Sequence, residues 1–156
     1  MNRNARSLAA LPLALGLAFA CVAPGASAQS ATADGCARQF ELAQQLDMTS
    51  FRDYDAETFR AVHDERAITV FSSGATRVGI DAIMAALGSH FANREAQWSW
   101  TERYRVVDGC RSAFILYETV YEVPRIGFRS RALTGVTYTH DGNRWLAVAD
   151  QGTPLP

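Results

Sequence analysis

A carboxylate set among aromatic residues is the first feature of this chain that could support chemistry. Over residues 98–107 large apolar side chains alternate with polar ones, the pattern of a strand with one buried face. One face of that strand would carry Trp98, Trp100, Glu102, Tyr104 and Val106. Two tryptophans are too large and apolar to be left in water, so we predict that this face turns inward and takes Glu102 with it. Glu102 is then a candidate catalytic acid or base, and the alternative is a structural carboxylate paired with Arg129 or Arg131.

Asp47 is the second candidate catalytic residue, and it lies in a stretch with helical periodicity. Phe40, Ala43 and Leu46 recur at the spacing of one helical face, and Asp47 falls on the same face. We therefore predict that the Asp47 carboxylate points inward. The alternative is a side chain at the end of the helix that points to water.

Three histidines are spread along the chain. His90 follows Leu87 at the edge of an apolar helical stripe, and we predict that it enters a binding cavity; the alternative is a hydrogen-bonded histidine at the edge of the core. His63, with Asp64 beside it, is interpreted as part of a solvated loop before the first strand, and His140 as a turn residue. Scattered in this way, the histidines form no metal-binding cluster. No glycine-rich phosphate loop or serine nucleophile motif is present, so we predict neither a metal nor a cofactor.

Aromatic side chains supply most of the predicted binding surface. Core packing explains many of them, but a small-molecule cavity is also largely apolar, so some should line it. Asp150 and Gln151 end the last predicted strand and could close the mouth of such a cavity, solvation at the strand end being the alternative. The predicted ligand-binding residues are Trp98, Trp100, Tyr104, Tyr117, Phe71 and His90.

The elements that must position these residues follow a simple order. Helical patterns come first, with Asp55 able to cap a second helix and a third helix running over residues 80–91. Two predicted hairpins follow, one turning at residues 108–109 and the other at residues 140–143. Helices followed by a meander of strands predict an α+β fold in which three helices pack on an antiparallel sheet.

The N-terminus has the pattern of a cleaved secretory signal over residues 1–28. The pattern consists of the basic residues Arg3 and Arg6, an apolar run over residues 8–22 and small residues at 26–28. We predict cleavage before Gln29 and a periplasmic or secreted protein without membrane attachment; lipidation of Cys21 is the alternative. Residues 29–36 would be a flexible start, and residues 37–156 a single domain.

Two cysteines, Cys36 and Cys110, remain after cleavage. In an oxidising compartment a lone pair of cysteines usually forms a disulfide, and we predict one here. A catalytic cysteine would need a reduced thiol beside a histidine, and no local signature of such a site is present.

The composition argues against nucleic acid as a partner. The chain of 156 residues has 15 basic and 16 acidic residues, and every basic residue is arginine. Cleavage would remove two arginines and no acid, leaving a mildly acidic protein without a basic block. We therefore predict no nucleic-acid binding.

The order of the elements resembles the SnoaL-like (DUF4440) branch of the NTF2-like superfamily. The resemblance rests on the segment Ala67-Ile-Thr-Val-Phe-Ser-Ser-Gly74, the connection Arg77-Val-Gly-Ile-Asp-Ala-Ile83 and the terminal hairpin, and it covers about residues 39–151. It implies a cystatin-like cone, in which a strongly curved antiparallel sheet wraps around three helices and leaves a cavity open at one end. Members include isomerases, cyclases, dehydratases and domains without a reaction, and dimers packed through the sheet are frequent.

Two catalytic patterns of that superfamily do not carry over to this chain. The steroid-isomerase pattern would place its base at Phe71, its tyrosine near Asp47 and its acid at Gly135, and none of these residue types matches. The dehydratase pattern requires inward histidines on strands, whereas the histidines here are predicted in a loop, a helix and a turn.

Three functions follow as hypotheses. The first is binding of a small, largely apolar molecule, favoured because the predicted cavity is rich in aromatic residues and poor in histidine. The second is a SnoaL-type acid/base enzyme of the isomerase, cyclase or dehydratase class that uses Glu102 or Asp47. The third is a non-catalytic module that dimerises or binds a partner through its sheet.

Overall fold

The computed structural model describes residues 25–156, and their side chains from residue 35 onward. Cys21 and nearly all of the predicted leader lie outside the described residues. Within the described part, no helix combines the length and the apolar character needed to cross a bilayer.

Over residues 25–156, four helices and six strands confirm the predicted α+β class. The helices are α1 (Gly25–Arg52), α2 (Ala56–Ala61), α3 (Ile80–Ala86) and α4 (Gly88–Asn93). The strands are β1 (His63–Val70), β2 (Thr76–Val78), β3 (Gln97–Asp108), β4 (Ser112–Val123), β5 (Phe128–His140) and β6 (Trp145–Pro154), with a 3₁₀ turn at Pro124–Ile126. All six strands form one sheet in the order β2-β1-β6-β5-β4-β3.

The sheet is mixed, where the sequence predicts a purely antiparallel one. β1 runs parallel to β6, and every other neighbouring pair is antiparallel. The last strand enters between β1 and β5, so β6 is covered on both edges. Asp150, in the middle of β6, is paired with both neighbouring strands and therefore lies inside the sheet rather than at its margin.

Helix α1 presents a face of mixed polarity to the sheet. Among its described side chains, the buried positions are Phe40, Gln44, Asp47, Met48 and Ser50, whereas Leu46 is 47% exposed. The predicted helical face was therefore correct at Phe40 and Asp47 but wrong at Leu46. Residues 29–36 belong to α1 in the structure; their predicted flexibility is a separate property and stays a prediction.

The predicted third helix is divided into α3 and α4 at Leu87. Gly79, which precedes α3, has a φ of 87°, a left-handed conformation that glycine adopts without strain. Its N–H donates to the carbonyl oxygen of Ala67 at 2.7 Å, which attaches the start of α3 to β1. At the start of α2, Asp55 accepts from the N–H of Thr58 at 3.0 Å, as its predicted capping role requires.

Both predicted hairpins are present, but β3 contains a bulge that the alternation does not reveal. Glu102 pairs with Tyr117 and Tyr104 with Leu116, so Arg103 is the extra residue of β3. An extra residue reverses the alternation beyond it, because successive side chains point to opposite faces. Tyr104 is consequently 56% exposed on the outer face, and Arg105 takes the inward position.

The disulfide predicted from the sequence is confirmed. Cys36 and Cys110 are bonded with their Cα atoms 5.5 Å apart, joining α1 to the turn between β3 and β4. The indole N–H of Trp145 also donates to the Cys36 carbonyl oxygen at 3.1 Å. Helix α1 is therefore held against the sheet at this end by both a covalent link and a hydrogen bond.

Candidate functional site

A cavity of about 410 Å³ lies between the helices and the inner face of the sheet. This volume is within the usual range for small-molecule sites. Its walls come from α1, α2, the α3–α4 region and strands β1, β3, β4, β5 and β6. Within the part of the chain that the structure describes, six phenylalanine, tryptophan or tyrosine residues line it: Phe51, Phe59, Phe71, Trp98, Tyr121 and Phe128.

Asp150 is the only carboxylate among the described residues that line this cavity. It lies on β6 between Thr69 of β1 and Val136 of β5, and both of these neighbours also line the cavity. Burial raises the pKa of Asp150 from 3.8 to about 7. His63 lowers this pKa, Asp47 raises it, and a hydrogen bond from the Thr69 side chain lowers it. Asp150 can therefore change its protonation state near neutral pH.

A second layer of buried polar groups lies near Asp150, centred on Asp47. The hydroxyl of Tyr138 donates to Oδ2 of Asp47 at 2.6 Å, and Nε2 of His63 lies 3.7 Å from Oδ1. All three residues are buried. Burial raises the pKa of Asp47, while the charge of His63 and the bond from Tyr138 lower it. The predicted inward orientation of Asp47 is correct, but Asp47 is not among the residues that line the cavity.

His63 is a buried residue of β1, and its interpretation as part of a solvated loop is wrong. Nδ1 lies 2.7 Å from the carbonyl oxygen of Phe59. Since a carbonyl oxygen only accepts, Nδ1 carries a hydrogen and Nε2 is the atom directed to Asp47. The imidazole is thereby fixed in orientation, and its electrostatic effect reaches both Asp47 and Asp150.

His90 lines the cavity as predicted, but both of its ring nitrogens are engaged. Nε2 lies 2.7 Å from the carbonyl oxygen of Phe51, and Nδ1 lies 3.2 Å from the hydroxyl of Tyr121. The ring also stacks on Phe51 with a centroid separation of 3.9 Å. Burial lowers the pKa of His90, which favours the neutral ring. These contacts are those of a structural histidine that forms part of the wall.

Glu102 is the main predicted site residue that the structure places elsewhere. Its side chain is 38% exposed and forms an ion pair with Arg105 at 2.7 Å, rather than with Arg129 or Arg131. Arg105 is also paired with Glu41 of α1. The prediction that Glu102 is buried among aromatic residues is therefore wrong. Arg105, two positions beyond the bulge at Arg103, accounts for this placement because it pairs with the Glu102 carboxylate.

The predicted ligand-binding residues divide into two groups. Phe71, Trp98 and His90 line the cavity. Trp100 instead packs against the buried cluster around Phe40 and lies under the guanidinium group of Arg52. Tyr117 is fully buried in the same cluster, and Tyr104 faces outward. These last three are not lining residues.

Asp150 and His63 are the residues that the sequence interpretation undervalued. A signal for Asp150 was available: it follows Trp145-Leu-Ala-Val-Ala149, an apolar run typical of a strand covered on both sides. A carboxylate that continues such a run is a candidate buried acid. For His63 no comparable local signal exists, because its buried surroundings include Asp47 of α1 and Ala147 of β6, which are distant in sequence.

No metal site accompanies these groups in the described part of the chain. There, no set of three or more histidine, cysteine, aspartate or glutamate residues is arranged to hold a metal ion.

No family model matches the chain, and no curated protein matches it in sequence. Solved structures do match. A proposed dehydratase of the NTF2-like family from Streptomyces avermitilis has a TM-score of 0.66 at 14% identity, over 79% of this chain and 98% of that one. An NTF2-like protein of unknown function from Shewanella oneidensis MR-1 has a TM-score of 0.63 at 12% identity, over 75% and 98%.

This chain has the NTF2-like fold. The same architecture is also described as cystatin-like. A protein with a cystatin-like fold from Caulobacter vibrioides matches with a TM-score of 0.63 at 15% identity, over 78% of this chain and 91% of that one. At these identities the similarity of the NTF2-like domain to its neighbours extends to the fold alone. Its function has to be argued from its own cavity.

Proposed function

We propose that this NTF2-like domain binds a small, largely apolar molecule in its cavity and contacts a polar group of that molecule through Asp150. The observation that carries the proposal is a protonatable carboxylate on the wall of a cavity of about 410 Å³ with six aromatic lining residues. Apolar walls with few polar groups are characteristic of ligand sites, in which the polar groups fix orientation. Burying Asp150 costs stability, and a ligand partner would offset that cost.

Native mass spectrometry of protein purified from its own host tests this proposal. We expect a retained small molecule that is lost on denaturation. Ala132→Phe would place a ring in the cavity, since Ala132 is a buried lining residue, and should abolish retention. Thr101→Phe adds a similar volume at an exposed position of β3 and is the matched control. Equal retention by both variants would place the molecule outside the cavity.

Acid/base catalysis of the SnoaL type is the second candidate function, and Asp150 favours it. A pKa of about 7 is close to the optimum for a general acid or base at neutral pH. Asp150 thus replaces Glu102 as the group that would transfer a proton. The test is deuterium incorporation from D₂O into a panel of cyclic ketones, compared between the natural protein and Asp150→Asn. Exchange that Asp150→Asn abolishes would support catalysis, and equal exchange with both proteins would exclude this role.

The outer face of the sheet supports a third candidate, a homodimer. Tyr104 and Val106 are exposed there and pair with Leu116 and Phe114 of β4. The ring of Phe114 lies over Gly135, where an added Cβ would be 3.0 Å from it. Light scattering of the natural protein and of a Tyr104→Glu/Val106→Glu variant tests this interface. A dimer that the double substitution dissociates would support it.

Export to the periplasm or the medium is also part of the proposal. It is supported by the signal pattern over residues 1–28 and by the disulfide of Cys36 and Cys110, since disulfides persist in oxidising compartments. The intact mass of exported protein should correspond to a chain that begins at Gln29. A diacylglycerol adduct on Cys21 would show lipidation instead.

A further inference from the structure

We propose that the ligand of this cavity is an apolar amine, whose ammonium group pairs with the carboxylate of Asp150. This inference rests on the proposed binding function and specifies the chemical class of the ligand. It follows from the charges that line the cavity, the aromatic surface around them and the groups that face Asp150.

The cavity offers negative charge and no fixed positive charge. Asp150 is its only acidic lining residue, and no arginine lines it in the described part of the chain. Lysine is absent from the whole sequence. The lining histidine, His90, is favoured in its neutral form by burial, and its two nitrogens are engaged with Phe51 and Tyr121. An anionic ligand would therefore meet a carboxylate without a compensating cation.

The aromatic walls suit a cation as well as an apolar skeleton. Phenylalanine, tyrosine and tryptophan rings attract cations through the negative potential of their faces, and this attraction is larger where water is excluded. Six of the lining residues carry such rings. A ligand with an ammonium group can thus bury its skeleton against rings while its charge remains stabilised, which a purely hydrocarbon wall would not allow.

The groups around Asp150 leave its negative charge only partly compensated. On β1, His63 favours the carboxylate and Thr69 hydrogen-bonds it, while Asp47 of α1 opposes it. His63 itself is directed to Asp47, with Nε2 3.7 Å from Oδ1, and Tyr138 of β5 also bonds Asp47. Among the described residues, His63 is the cationic group that acts on Asp150, and it also faces Asp47, so a further cationic partner can come from the ligand.

This arrangement makes a thermodynamic prediction that a neutral ligand does not share. An ammonium group stabilises the ionised form of Asp150, so its binding near pH 7 should release a proton from the fraction of molecules in which Asp150 is protonated. A neutral alcohol that accepts a hydrogen bond from protonated Asp150 should instead take up a proton when it binds near pH 7, and should bind better at pH 5.5, where Asp150 is protonated.

Three probes with one skeleton test the inference: 4-phenylbutylamine, 4-phenylbutanol and 4-phenylbutyrate. Titration calorimetry at pH 7.0 should show the amine binding at least about tenfold more tightly than the alcohol, and the acid most weakly. Repeating the amine titration in two buffers with different ionisation enthalpies measures the released proton. Asp150→Asn should remove the preference for the amine while the alcohol still binds. Asp108→Asn removes a carboxylate from the exposed end of β3 and should leave all three affinities unchanged.

The outcomes separate this inference from the binding function on which it rests. Alcohol or acid binding as tightly as the amine would overturn the inference and leave a binding cavity. Failure of all three probes to bind the natural protein would count against the cavity as a binding site and thus against both. Because the probe series on the natural protein decides the charge preference by itself, the test does not depend on the folding of Asp150→Asn.

Discussion

The hydroxyl of Tyr138 donates a 2.6 Å hydrogen bond to Oδ2 of Asp47, across 91 positions of sequence and inside the buried part of the molecule. This bond joins α1 to β5, and His63 of β1 faces the other oxygen of the same carboxylate. Asp47 therefore connects three elements through its side chain, and it is not among the residues that line the cavity.

Tyr138→Phe should destabilise the protein by about 1–3 kcal/mol, because it leaves a buried carboxylate oxygen without its donor. The free energy of unfolding in urea measures the effect. Tyr104→Phe is the matched control, since the Tyr104 side chain is exposed, and it should change stability by less than about 0.5 kcal/mol. Equal effects of the two substitutions would show that the hydrogen bond of Tyr138 contributes no more to stability than an exposed hydroxyl does.

The pKa of Asp150 predicts how stability changes with pH. Its folded-state pKa of about 7 lies above its ordinary value of 3.8, so the folded chain binds more protons between these values. The stabilisation is fully present below about pH 4 and is lost as the pH rises to 7. The raised pKa of Asp47 acts in the same direction.

Asp150→Asn should flatten this dependence. Between pH 4.5 and pH 7.5 the free energy of unfolding of the variant should rise by about 1–3 kcal/mol relative to that of the natural protein. Urea unfolding at intervals of one pH unit measures this difference. Half-buried Glu118, whose pKa is lowered to about 2 by Arg131 and Arg103, affects both proteins alike and only at lower pH. Parallel curves for the two proteins would show that Asp150 does not titrate in this range.

Removing the disulfide with Cys36→Ser and Cys110→Ser together should lower the free energy of unfolding by about 2–4 kcal/mol. The two cysteines are 74 positions apart, so the bond restricts a long segment of the unfolded chain. Urea unfolding of the double variant under oxidising conditions, beside the natural protein with and without reductant, measures the effect. Reductant should change the natural protein and leave the double variant unaffected; a response of the double variant would point to a different cause.

Glu102→Gln should have little effect on either stability or binding. Glu102 is part of an exposed ion pair with Arg105, and such pairs contribute at most about 1 kcal/mol. In the amine titration, Glu102→Gln should match the natural protein while Asp150→Asn does not. A loss of affinity with Glu102→Gln would restore Glu102 as a site residue.

The sequence by itself determined the features that depend on short stretches of chain. The two reversals were predicted, because a reversal between two alternating strands is a local pattern, although the turns lie at residues 109–111 and 141–144 rather than at 108–109 and 140–143. The inward face of α1 at Phe40 and Asp47 followed from helical periodicity. The disulfide followed from the predicted removal of Cys21 with the leader, which leaves two of the three cysteines and therefore one pairing.

The tertiary structure decided which carboxylate belongs to the cavity. Simple alternation would place Glu102 inside, among the aromatic residues, if β3 were regular. The bulge at Arg103 instead turns Arg105 inward, and Arg105 pairs with Glu102 at the exposed rim. Asp150 is interior because β6 enters the sheet between β1 and β5. Of these neighbours, β1 is parallel to β6 and far away in sequence, and β5 is antiparallel to it. Helical and strand periods are properties of a few consecutive residues, whereas bulges, strand order and burial depend on contacts between distant segments, and these contacts set the chemistry of the site.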